Sequence, residues 1–183
     1  TGGSATLVPT DLSDGAAIDG LAAPLLARFG RLDILVGNAA TLGRLTPLPH
    51  FPPDLWHEVF AVNVHANWRL LRALDPLLRA SPSGRAIFVT SGISRVLAAY
   101  WGAYAASKAA LEAMIAVYAK EIAKTPVRVN LADPGPMRTR MRALAFPGED
   151  PLQLPLPEAI AGKFVALAEP ACARNGELVP LDG

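Results

Sequence analysis

Tyr104 and Lys108 stand four residues apart in the stretch "YAASK", and Ser91 precedes the tyrosine by thirteen positions in "VTSGIS". On a helix, positions i and i+4 share a face. A free tyrosine titrates at about 10 and is a poor acid or base at neutral pH. An ammonium one turn away stabilises the phenolate, so the pairing is expected to lower the phenol's pKa. A tyrosine so tuned passes a proton to or from a carbonyl or alcohol oxygen. A serine hydroxyl both donates and accepts, so Ser91 at a strand end could hold the same oxygen. The pair alone is weak evidence, because most such helical pairs are solvated surface. Its weight comes from the elements that carry it.

Those elements alternate. Residues 5–12, 33–40, 85–91 and 127–135 read as strands, and "GELVPLDG" as a last one. Residues 14–29, 54–79 and 102–123 read as helices, with a further helix starting after Pro157. Residues 41–53 hold four prolines and one glycine and read as a loop. Apolar strands alternating with helices predict an α/β fold, a doubly wound parallel sheet covered on both faces. Open sheets of that kind bind ligands beyond the carboxyl ends of their strands. Asp11, Asn38–Ala40, Thr90–Gly92 and Pro134-Gly135 fall at those ends. The segment from about Met137 to Leu156 is long for a connection and mixes apolar residues with arginines. It reads as a lid, with Leu144 and Phe146 shaping an apolar wall.

The totals narrow the class. A chain of 183 residues, 51% hydrophobic and 18% charged, is enough for one domain with a core. A net charge of +1 and no basic run leave no nucleic-acid footprint. No apolar run is long enough to span a membrane, and no signal peptide is expected from the opening residues. The single cysteine, Cys172, forms no internal disulfide and fits a reducing compartment, so a cytoplasmic location is expected. His50, His57 and His65 show no metal spacing with carboxylates or Cys172. Ser91 is not in a G-x-S-x-G elbow, which weakens a hydrolase reading.

From residue 5 almost to its end the sequence resembles the short-chain dehydrogenase/reductase family. "DILVGNAA" is similar to that family's N-N-A-G turn, and Asn63 in "FAVNV" matches the asparagine of its central helix. Ser91, Tyr104 and Lys108 match its serine and Y-x-x-x-K, and "DPGPMRT" its P-G turn with a following threonine, Thr139. The resemblance implies an NAD(P)-dependent oxidoreductase interconverting an alcohol and a carbonyl. Tyr104 would be the acid/base, and Lys108 would lower its pKa and bind the nicotinamide ribose. Ser91 would orient the substrate oxygen, and Asn63 would support a water relay to Lys108. Asn38, Ala39 and Ala40 would line a cofactor ribose, and Asp11 and Leu12 would meet the adenine. Pro134, Gly135 and Thr139 would flank the nicotinamide and pyrophosphate. NAD and NADP stay open. The resemblance also implies a homodimer or homotetramer through the helices 54–79 and 102–123. The stretch "RMRALAFPGEDP" is similar to one little-characterised bacterial branch of the family and names no substrate.

The sequence departs from the pattern in two places. The turn reads G-N-A-A, with Gly37 and Ala40 as the changes. The family's glycine-rich pyrophosphate turn, at a helix N-terminus, is not found in "TGGSAT", which precedes what reads as the third strand. In the doubly wound order the first two strands lie between the third and fourth, so the strand at 5–12 has no neighbour to pair with. The family's usual length implies about fifty to seventy residues ahead of Thr1. The chain is therefore read as one Rossmann-like domain over 1–183, incomplete at its N-terminal side. The main rival is a catalytically weak or inactive nucleotide-binding protein of the same fold. An enoyl-thioester reductase is a second rival, disfavoured by the four-residue spacing of Tyr104 and Lys108.

Overall fold

The structure, a computed structural model, describes residues 3–182. Its centre is a four-stranded parallel sheet in the order β1 (Ile34–Gly37), β2 (Arg85–Val89), β3 (Arg128–Asp133) and β4 (Leu178–Pro180). Val36 pairs with Ile87, which in turn pairs with Asn130, so the strands run in step and end at one edge. β2 and β3 are buried along almost their whole length, as central parallel strands must be.

Helices α1 (Gly15–Asp19) and α2 (Ala22–Phe29) divide the predicted helix 14–29 at Gly20-Leu21. Asp14 caps α1 by accepting from the amides of Ala16 and Ala17. The predicted helix 54–79 becomes α3 (Pro53–Phe60) and α4 (Ala66–Arg79), joined by a wider π turn over Ala61–His65. Short α5 (Ile93–Val96) and long α6 (Gly102–Glu121) follow β2, and α7 (Arg140–Ala145) and α8 (Glu158–Ala168) follow β3. One apolar cluster, including Leu74, Leu78, Phe88, Leu111 and Ile115, packs α4 and α6 against one side of the sheet. A smaller one, including Ile87, Ala132, Ile160 and Leu181, packs α8 against the other. No helix among the described residues is long and apolar enough to cross a membrane.

Residues 5–12 form no strand. β1 is the edge of the sheet, no described strand lies beside it, and Leu7 is 90% exposed. Pro9, which cannot donate to a ladder, adds to the cost of extending one there.

Candidate active site

The parallel register brings three turns to the same edge. Asn38–Ala40 leave β1, Thr90–Gly92 leave β2, and Pro134-Gly135 leave β3. Gly135 has a φ of 68°, which favours glycine, and a Cβ there would lie within 2.6 Å of the Asp182 side chain. At Gly37 a Cβ would run into the Phe88 ring and come within 2.6 Å of Asn67 Oδ1. Phe88 and Asn67 are both buried. That crowding accounts for glycine at the first position of the G-N-A-A turn.

Asn63 sits on the π turn, fully buried. Its Oδ1 accepts from the Thr41 amide at 2.8 Å, and its Nδ2 lies 2.9 Å from the Thr41 carbonyl and 3.0 Å from Ser107 Oγ. The backbone carbonyl of Asn63 accepts from Asn67 Nδ2 at 2.8 Å. Asn63 therefore fastens the end of the 38–40 turn to α6, and among the described residues it makes no direct hydrogen bond to Lys108.

α6 carries Tyr104 and Lys108 on its inward face, 8% and 2% exposed. The Ser91 side chain lies near enough to the Tyr104 phenol to hold its pKa down. Lys108 Nζ stands 5.7 Å from the centroid of the Tyr104 ring and donates to the Val89 carbonyl at 2.7 Å. The structure thus gathers Ser91, Tyr104 and Lys108 into one site. The electrostatics differ from the expectation of a lowered phenol. Burial pushes Tyr104 up to about 12, opposed by the Ser91 side chain and reinforced by the Asp133 carboxylate. Burial also pulls Lys108 down to about 8, opposed by Glu112. Desolvation of the phenolate outweighs its stabilisation, and the phenol is the resting form at neutral pH.

The remaining predicted residues are spread wider. Thr139 caps α7, its hydroxyl accepting from the Arg142 amide at 3.1 Å. Asp11 closes a turn on Ser13, with bonds of 2.8 and 2.7 Å to the serine amide and hydroxyl, and Leu12 is half-buried beside it.

The segment 137–156 is folded. The Arg142 guanidinium holds both oxygens of Glu149, at 2.6 and 2.7 Å, and lies 3.8 Å from the centroid of the Phe146 ring. Arg138 donates to the carbonyls of Pro151 and Leu154. Phe146 packs on Trp101 at 5.7 Å, and Trp101 on Tyr104 at 6.0 Å, so an aromatic wall runs from the loop to the phenol. Leu144 is 66% exposed and stands outside that stack. Sequence reading missed Trp101, which sits one turn before Tyr104 on the same helical face. It also missed Glu112, which continues the Tyr104–Lys108 spacing by another four residues.

A parallel α/β sheet with a serine, a tyrosine and a lysine converging at its carboxyl edge defines a class of protein, and the comparisons agree. Residues 1–150 match the family model of the short chain dehydrogenases, and the chain belongs to that family. It is 44% identical to the oxidoreductase YciK of Escherichia coli K12, over 80% of this chain and 58% of that one. It is 34% identical to the 3-oxoacyl-acyl-carrier-protein reductase of rhamnolipid biosynthesis from Pseudomonas aeruginosa, over 99% of this chain and 77% of that one. The structure superposes with a TM-score of 0.90 on a short chain dehydrogenase of Escherichia coli CFT073 complexed with NADPH, at 38% identity, covering 94% of this chain and 73% of that one. The chain thus spans under two thirds of the length of YciK.

Proposed function

We propose that the protein is an NAD(P)-dependent oxidoreductase that interconverts an alcohol and a carbonyl, with Tyr104 as the acid/base. The observation that carries this reading is the Lys108 ammonium 5.7 Å from the centroid of the Tyr104 ring, with Ser91 near the same phenol, at the open edge of the sheet. In carbonyl reduction the neutral phenol gives its proton to the substrate oxygen. Ser91 holds that oxygen beside the phenol. Lys108 offsets the charge left on the phenolate and recovers the proton balance with solvent. In alcohol oxidation the same groups work in reverse. Burial holds Tyr104 at about 12, so it rests as the phenol at neutral pH, and efficient proton transfer calls on nearby positive charge to bring that value down.

The residues fit a nicotinamide dinucleotide. The turn at Gly37–Ala40, the left-handed turn at Gly135, and Lys108 at the end of β2 supply close backbone approach, amides and a cation. When bound, the nicotinamide supplies or takes up the hydride. Asn38, Ala39 and Ala40 would line its ribose, Lys108 would bond a ribose hydroxyl, Pro134, Gly135 and Thr139 would flank the other end, and Asp11 and Leu12 would meet the adenine. A relative's structure is complexed with NADPH, which favours NADP as the first cofactor to try. Asn63 acts here by fixing the 38–40 turn and by supporting a water path toward Lys108. The described residues act as one Rossmann-like domain in a cytoplasmic homo-oligomer built on α4 and α6, where Trp68 is 47% and Val117 56% exposed.

The test is stoichiometry in the full-length protein. NADPH consumed in the presence of a ketone panel must equal alcohol formed. Tight NADPH binding with no turnover on any ketone, and no oxidation of the matching alcohols, would leave the rival nucleotide-binding role instead.

A further inference from the structure

Behind Ser91 lies a group of charges to which the proposed reaction assigns no role. Arg95 on α5 reaches two carboxylates at once. Its Nη1 donates to Glu112 Oε1 at 2.8 Å, and its Nη2 makes a short ion pair with Asp133 Oδ2. The same Glu112 oxygen accepts from Thr90 Oγ1 at 2.6 Å. Ser94 Oγ lies 2.7 Å from that oxygen and 2.8 Å from the Ser91 carbonyl, and its one proton serves one of them at a time. The residues flanking Ser91, Thr90 before it and Ser94 after it, thus both reach Glu112. A Cβ placed on Gly92, the next residue after Ser91, would lie 3.5 Å from Asp133 Oδ2 and 3.7 Å from Arg95 Nη2, so the ion pair sits beside that backbone.

The partners belong to the three elements the reaction must hold together. Glu112 stands one turn beyond Lys108 and two beyond Tyr104 on α6. Asp133 is the last residue of β3, and its other oxygen accepts from the Gly135 amide at 3.3 Å. Arg95 is on the helix that Ser91 introduces. We propose that Arg95, Glu112 and Asp133 form an ionic clamp that sets the Ser91 hydroxyl against the Tyr104 phenol, so that all three are positioning residues for the reaction.

A stabilising role alone explains this less well. Arg95 is 43% exposed on its side chain, against 19% for Glu112 and 11% for Asp133, so solvent screens the pairs from the arginine side and their net worth to stability is modest. Placement of reacting groups is far more sensitive, with a displacement of about 1 Å costing on the order of 100-fold in rate. A contact that is cheap in stability and costly in turnover is the signature of positioning.

The clamp rests on the reaction proposed above, and a double-mutant cycle separates the two. NADPH oxidation is followed with the full-length protein on a panel of 2,3-butanedione, acetophenone and acetoacetyl-coenzyme A, and the fastest member becomes the probe. Arg95→Met should lower kcat by roughly 10- to 100-fold, with NADPH affinity by fluorescence and the melting temperature nearly unchanged. Asp133→Asn, which keeps the shape and an acceptor for Gly135, should do the same. Added to Ser91→Ala, Arg95→Met should cost little more, because the serine it positions is gone. Multiplying losses in the double variant, or a normal kcat for Arg95→Met, would overturn the clamp while leaving the reaction standing. Full turnover by Ser91→Ala, or none by the unmodified protein on the whole panel, would remove the reaction and the clamp with it.

Discussion

The ammonium of Lys108 donates to the main-chain carbonyl of Val89 at 2.7 Å, inside a site where the lysine is 2% exposed. That bond aims the amine at the end of β2, where Ser91 begins the next turn, and burial holds its pKa at about 8. The lysine is therefore expensive to the fold. Below the folded value the native protein must keep an ammonium out of water.

Replacing it should expose that cost. The drop from 10.5 to about 8 corresponds to roughly 3 kcal/mol at neutral pH. Losing the bond to Val89 gives back about 1–2 kcal/mol. Lys108→Met should then raise stability by about 1–2 kcal/mol at neutral pH while abolishing turnover. The sign follows from linkage: with a lowered folded pKa, the lysine's penalty is greatest below about 8 and gone above 10.5. Melting curves at neutral and at alkaline pH check this. A variant less stable at neutral pH, or a gain that persists above 10.5, would contradict it.

Asn63 gives a structural prediction of the opposite sign. Asn63→Leu leaves the Thr41 amide and carbonyl and the Ser107 hydroxyl without their partner in a buried setting. The cost should be roughly 1–3 kcal/mol, read by urea unfolding. Amide exchange at residues 38–43 should rise before the rest of the sheet opens. Unchanged exchange there would mean that Asn63 does not hold the turn.

Much of this was legible in the sequence, for identifiable reasons. β2 and β3 read correctly because central parallel strands are continuous apolar runs bounded by turns. Tyr104, Lys108 and Ser91 read as one site because a helical spacing and a strand end place them. The strand expected at 5–12 failed because a strand is a pairing and not a property of a segment; "ATLVPTDL" has apolar character but no neighbour. The π turn at Asn63 was invisible, since one extra residue in a helical turn leaves no mark in an apolar pattern. The phenol expected to be lowered is instead raised: the i, i+4 rule sees the lysine beside it but not the burial that pushes it up. Asp133 was passed over as part of a turn because only tertiary structure shows Arg95 across from it.

The loop after β3 tests that last lesson. Read as a sequence it was a lid; folded, it is held by the Arg142–Glu149 pair and by Arg138 on two carbonyls. Residues 140–156 should already be protected from exchange without NADPH. Arg142→Ala should deprotect them while changing global stability by about 1 kcal/mol or less. Protection that appears only with NADPH, in the unmodified protein, would restore the lid.

The central claim is that the Tyr104 hydroxyl moves the proton, and removing that one oxygen tests it most directly. Tyr104→Phe keeps the ring against Trp101 and leaves Lys108 on Val89. Turnover of the fastest panel ketone should fall by roughly 10²–10⁴-fold, with NADPH affinity by fluorescence titration unchanged. Near-normal turnover by Tyr104→Phe, with NADPH still bound, would contradict the account.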